Sequence, residues 1–209
     1  KLLAGSEGTL AFTTEIKLNL VDLPKPKDVV LAAHFNSIED SLKATVIAMQ
    51  HQPTACELMD KTILECTKDN ISQQKNRFFV EGDPHAILMI EFREDNENDA
   101  ITKANKLIED LKSQELGYHY PIIKDDQTNA VWDLRKAGLG LLSNIPGDKK
   151  AVACIEDTAV AVNKLPEYIS EFTEMMKGFN QEAVYYAHAG AGELHLRPIL
   201  DLKKAEDVK

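Results

Sequence analysis

The stretch that most constrains this chain is Tyr185-Tyr186-Ala187-His188-Ala189-Gly190-Ala191-Gly192-Glu193-Leu194-His195-Leu196-Arg197-Pro198. Two histidines flank a loop with glycine at alternate positions, and apolar or aromatic residues run into it from one side. That pattern suits a hairpin with arms 183–188 and 195–200. A symmetric register sets His188 opposite His195, with Tyr186 and Arg197 on one face, because strand side chains alternate with period two. Opposed residues lie about 5 Å apart at Cβ, so two imidazoles can share one metal ion or one substrate oxygen. A Gly-rich turn whose histidines only hydrogen-bond is the plainer alternative.

The rest of the chain alternates strand and helix patterns. Gly5-Ser6-Glu7-Gly8 reads as a tight turn into a strand over 11–21, where Phe12, Thr14, Ile16, Leu18 and Leu20 alternate with more polar residues. A Pro-rich crossing at 21–27 follows. Strands are predicted over 28–36, 54–60, 85–92, 117–123 and 151–155. Helices are predicted from a cap at 36–40 to about 50, and over 61–67, 94–113, 126–143 and 164–176. Ser37 and Asp40 stand at capping-box-like spacing, and Gly178 marks a helix end. Successive strands near enough for antiparallel pairing predict an α+β fold with helices on one face of an antiparallel sheet. The ferredoxin-like βαββαβ arrangement, single or doubled, is the expected form. Glu57 and His85 are further pocket candidates within strand-rich stretches.

Charge narrows the function. The net charge of the 209 residues is −10, with no basic stripe of the kind nucleic-acid binders carry. No apolar run approaches the length of a membrane span. Cys56, Cys66 and Cys154 are widely spaced and odd in number, and fit neither a disulfide framework nor a zinc motif. They read as core thiols in a reducing compartment, the cytoplasm.

The pattern His-Ala-Gly-x-Gly-x-Leu-His resembles the motif of the flavin-linked 2-hydroxyacid dehydrogenases, the glycolate oxidase and D-lactate dehydrogenase group of the vanillyl-alcohol-oxidase superfamily. The usual form has Asp and Asn where this chain has Ala191 and Glu193. Gly5-Ser6-Glu7-Gly8-Thr9-Leu10 is similar to the last flavin-contacting segment of that superfamily's FAD domain. Trp132-Asp133-Leu134-Arg135 resembles a helical segment that supplies an arginine to the substrate carboxylate. The pocket pattern has drifted elsewhere. Leu139 stands where relatives often carry a hydroxyl residue, Ala161 replaces a proline in Asp157-Thr158-Ala159-Val160-Ala161, and Ile155 replaces a lysine.

The resemblance implies that residues 1–23 are the tail of an FAD-binding domain and 28–209 a substrate-side cap domain, truncated at its end. It implies a whole enzyme that oxidises a small 2-hydroxy acid of glycolate or D-lactate type, with hydride passing to FAD. Gly5, Ser6, Glu7, Gly8 and Thr9 would contact the flavin. Arg135, with Tyr186 and Arg197, would face the substrate. His188 and His195 would polarise its hydroxyl, directly or through a divalent ion such as zinc, whose glutamate ligand would fall beyond Lys209. The implied partners are the rest of the FAD domain and, as in longer relatives, an iron–sulfur electron acceptor. A stand-alone ferredoxin-like module that binds a small acid or another protein is the competing reading.

Overall fold

The computed structural model describes residues 2–208; Lys1 and Lys209, the outer limits of the two expected segments, lie outside them. A first unit comprises β1 (Lys27–Phe35), α1 (Ile38–Gln50), β2 (Ala55–Asp60), α2 (Lys61–Lys68), α3 (Ile71–Gln74), β3 (Ala86–Glu94), α4 (Glu97–Ser113) and β4 (Ile122–Lys124). Helix α5 (Gln127–Leu141) and the short β5 (Lys150–Ala151) lead to a second unit. That unit holds β6 (Ile155–Ala159), α6 (Leu165–Gly178), β7 (Ala183–His188) and β8 (Glu193–Leu200), and α7 (Ala205–Val208) follows.

The sheet order is β4-β1-β3-β2-β7-β8-β5, with β6 also on β8, and every pairing is antiparallel. The β4-β1-β3-β2 portion is a complete ferredoxin-like βαββαβ unit. In the second portion β6, β8 and β7 repeat the places of β1, β3 and β2, so the doubling covers a βαββ unit.

Local chemistry sets the elements. Ser37 accepts from the Asp40 N–H at 3.1 Å and starts α1, while Asn96 accepts from Asp99 N at 3.0 Å and starts α4. Ala100, Ala104, Leu107 and Leu111 then lie along one stripe of α4 and are buried. β1 and β3 are covered on both faces, which is why Val29–Ala33 and Ile87–Ile90 are continuous apolar runs rather than alternating ones. Each buried Val, Leu, Ile or Met in these runs contributes about 1.5–3 kcal/mol by leaving water.

The crossover helices α1, α4 and α6 pack on one face, as expected. The other face is covered as well, by α2 and α5, whose Ile63, Leu64, Val131 and Leu134 meet Val30, Ala32, Met59 and Met89. Helices therefore lie on both faces. The predicted strand over 11–21 does not form. Phe12, Ile16, Leu18 and Leu20 are exposed, and no described segment pairs with this stretch. Without a neighbour, an alternating segment gains neither ladder hydrogen bonds nor burial. The strand over 117–123 contracts to β4, preceded by a single His34–His119 bridge. Of the three thiols only Cys56 is in the core, and burial pushes it up to about 12, whereas Cys154 is exposed.

Two buried ionisable groups pull stability in opposite directions. Asp60 accepts from Ile63 N at 3.0 Å and Tyr185 N at 2.9 Å, capping α2 and tying β2 to β7, and burial pushes its carboxyl from 3.8 up to about 7. His34 lies 2.8 Å from Ala32 O, accepts from Glu81 N at 3.2 Å, and is pushed by burial from 6.5 down to about 4. Between these limits folded Asp60 holds a proton the unfolded chain releases, so its contribution falls as pH rises. Folded His34 stays neutral while the unfolded chain protonates, so its contribution rises with pH. Each slope reaches up to about 1.4 kcal/mol per pH unit, and the two offset. In urea melts across this range, Asp60→Asn should show stability rising with pH and His34→Gln should show it falling. Equal slopes in both variants and the parent would refute the assignment.

Candidate functional site

The site is built on the β7–β8 hairpin, where the second face emerges from under α5. A single 3-10 turn, Ala189–Ala191, ends at Gly192 in the left-handed region with φ +74°. A Cβ there would run into the Val160 carbonyl oxygen, so only glycine closes this turn. β8 consequently starts at Glu193, and the register pairs His188 with Glu193 and Tyr186 with His195. The expected pairing of His188 with His195 is thus wrong by two residues. A slip of two preserves the face. The two imidazoles remain neighbours, with centroids 5.5 Å apart at an interplanar angle of 76°.

Arg135 of α5 lies buried against this hairpin. Its guanidinium sits 3.6 Å over the Tyr186 ring, and its backbone carbonyl accepts from the Tyr186 hydroxyl at 3.0 Å. Nε donates to Glu57 Oε2 at 3.1 Å, while Nη2 donates to both Glu57 and, at 3.0 Å, the Ala187 carbonyl. Burial pulls the Arg135 pKa down and Glu57 opposes this; an arginine stays charged regardless. Glu57 also lies 2.9 Å from His188 Nδ1.

A second cluster stands beside the first. His195 Nδ1 is 2.7 Å from Glu156 Oε2 and 3.4 Å from Asp157 Oδ1, and Arg197 Nε donates to Glu156 Oε1 at 2.6 Å. A bulge in β6 between Ile155 and Thr158, with Asp157 at φ +55°, turns these carboxylates toward His195.

The structure therefore brings together His188, His195, Arg135, Tyr186 and Arg197. Gly5, Ser6, Glu7, Gly8 and Thr9 form the expected turn, closed by Thr9 N donating to Ser6 O at 2.9 Å. They stay on the exposed N-terminal stretch, away from the groove. His85 is exposed and does not join the site. Glu156 escaped notice altogether, because nothing in an Ile-Glu-Asp-Thr string signals the bulge that aims it. Glu57 could be found as the one charge inside the apolar Ala55–Met59 run.

A groove of about 340 Å³ beside His188 is lined by Ala55, Glu57, Trp132, Arg135, Lys136 and Tyr186 among others. A larger cleft of about 750 Å³, lined by residues of α2 and of 144–146, contains none of these groups.

Residues 24–209 match the family described as FAD linked oxidases, C-terminal domain. The chain belongs to this family. It is 30% identical to a D-2-hydroxyglutarate dehydrogenase of Pseudomonas putida, over 97% of this chain and 21% of that protein. It is 29% identical to a D-lactate dehydrogenase of Archaeoglobus fulgidus, over 95% of this chain and 41% of that one. Glycolate oxidase subunit GlcD of Bacillus subtilis is 22% identical over 100% of this chain and 43% of its own length. The chain thus spans between about a fifth and two fifths of these relatives. The fold also resembles that of a solved 4-ethylphenol oxidase from Gulosibacter chungangensis, with TM-score 0.55 and 12% identity over 88% of this chain and 41% of that one. Among the described residues no helix is long and apolar enough to cross a membrane.

The buried ion pair sets what substitution of Arg135 does. Arg135→Met leaves Glu57, itself mostly buried, without its cation, and should cost about 3 kcal/mol in a denaturant melt. Adding Glu57→Leu should recover at least half of that loss. A double-mutant cycle giving additive effects would remove the ion pair from the account.

Proposed function

We propose that the protein carrying this chain is an FAD-dependent oxidoreductase that oxidises a small 2-hydroxy acid of glycolate or D-lactate type. The observation that carries the proposal is His188 in a groove that also holds the buried Arg135, with the His195 imidazole packed against His188. Membership of an FAD-linked oxidase family and relatives named for D-lactate and glycolate support it. In this reading residues 28–209 are the substrate-side cap and residues 1–23 the tail of the FAD domain. The alternating, exposed apolar side chains of 12–20 suit a strand whose neighbours belong to that domain.

His188 and His195 bind the substrate hydroxyl and take its proton. Arg135 and Lys136 hold the carboxylate at the groove mouth, with Tyr186 and Trp132 walling the carbon chain. Arg135 is already engaged by Glu57 through Nε and Nη2, so its contact with substrate is made through Nη1 rather than as a two-pronged fork. With that cation shared, the groove suits one carboxylate better than two. FAD, when bound, supplies the hydride acceptor. Two neighbouring imidazoles fit a divalent ion such as zinc as two of its ligands, and such an ion would acidify a bound hydroxyl. The Gly5–Thr9 backbone turn, open around both Gly5 and Gly8, fits the edge of a flavin. An iron–sulfur electron acceptor and a cytoplasmic location complete the proposal on resemblance alone.

The test uses the full-length protein. It should purify with bound flavin that bleaches anaerobically on adding glycolate or D-lactate, with D-2-hydroxyglutarate as the comparison. His188→Ala should lower kcat/KM by roughly 10²–10⁴-fold. A protein without flavin, or a flavin indifferent to all three acids, would reject the reading.

A further inference from the structure

Each imidazole has a glutamate at Nδ1 with an arginine behind it, and His195 Nδ1 faces Asp157 Oδ1 at 3.4 Å as well. Glu57 stands between Arg135 and His188 Nδ1, and Glu156 stands between Arg197 and His195 Nδ1. The elements that supply the parts differ: α5, β2 and β7 in one case, β6 and β8 in the other. The depth differs too. In the first cluster the arginine is deepest, at 6% side-chain exposure, and the histidine outermost at 46%; in the second the histidine is deepest at 12%. The shared feature is therefore the order of contacts, guanidinium to carboxylate to Nδ1, rather than a common surrounding.

We infer that Glu57 and Glu156 are positioning residues that fix both histidines as Nδ1–H tautomers, leaving both Nε2 atoms as acceptors. An ionised carboxylate accepts hydrogen bonds and donates none, so the proton of each neutral ring must lie on Nδ1 where it meets its glutamate. Each arginine donates to its carboxylate and so limits its rotation. Among the described residues neither Nε2 has a hydrogen-bond partner. Both rings are consequently set to accept, either a proton or a cation, and neither is set to donate a hydrogen bond to an oxygen. This rests on the proposed function only for what the Nε2 atoms act upon. The tautomers themselves are a property of the chain.

Long-range 1H–15N NMR on the 209-residue chain at a pH near 8, above the ordinary imidazole range, should show the unprotonated nitrogen at Nε2 in both His188 and His195. A proton on Nε2 of either ring overturns the inference for that ring. Glu57→Gln and Glu156→Gln offer a donor as well as an acceptor, and each should give its own histidine a mixture of tautomers. In the full-length enzyme each should lower kcat roughly 10–100-fold, as losses of such outer partners do, with KM within about threefold. Unchanged kcat in both, or a loss carried by KM alone, overturns the positioning role. Glu57→Gln leaves the buried Arg135 uncompensated and can fail to fold; Glu156→Gln, at a more exposed carboxylate, keeps the test decisive. If no hydroxy acid reduces the full-length protein's flavin, the functional reading fails while the NMR result still decides the tautomers.

Discussion

The contact on which the site most depends is the buried ion pair of Arg135 with Glu57. Taking a guanidinium and a carboxylate out of water costs several kcal/mol per ion, and mutual attraction offsets this only when remaining hydrogen bonds are filled. Here they are largely filled. Glu57 receives Nε and Nη2, Ala187 receives Nη2, and the guanidinium lies on the Tyr186 ring. The pair also crosses the seam of the molecule. β2 and β7, the corresponding strands of the two ferredoxin-like units, share a ladder of two register pairs, Leu58–Ala187 and Met59–Tyr186, with the Asp60 carboxylate on Tyr185 N beside it. Arg135 reaches from α5 to both strands. It fastens the junction that a short ladder leaves weak, and the same fastening places His188.

Coverage of the sheet explains why the site lies where it does. The first face is closed along its length by α1, α4 and α6. On the second face α5 covers the first unit and reaches β7 at Tyr186 and the Ala187 carbonyl. The outward row of β7 and β8 runs on through His188, which shares a groove with α5, to His195 and Arg197. Polar groups there need partners from the sheet itself, and the β6 bulge supplies Glu156.

How much of this could be read from the sequence follows from what each signal reports. Caps and apolar periodicity are local, so they predict α1, α4, β1 and β3 to within a few residues. The hairpin was foreseen too, but its register depends on how tightly the loop turns, and Gly192 against Val160 is a tertiary contact. The two-residue error was harmless because side-chain faces repeat with that period. The strand over 11–21 has the right pattern and no neighbour, which periodicity cannot detect. Arg135 was recognised by its resemblance, while its partner Glu57 lies 78 residues away and is set by the sheet order.

The charges of the site bear on how an acid would be received. Arg135 and Arg197 contribute +2 and Glu57, Glu156 and Asp157 contribute −3, so with neutral imidazoles the two clusters sum to −1. The chain as a whole carries −10 and repels anions at long range, an effect screened within about 10 Å at ordinary salt. An acid is therefore not drawn in by the broad field of this chain. On the proposed function, discrimination would come from short-range geometry: Lys136 and Arg135 in the groove and two imidazoles packed beside each other. On that function such an arrangement would give orientation rather than capture, the contribution expected of a domain when the chemistry belongs to a cofactor bound alongside it.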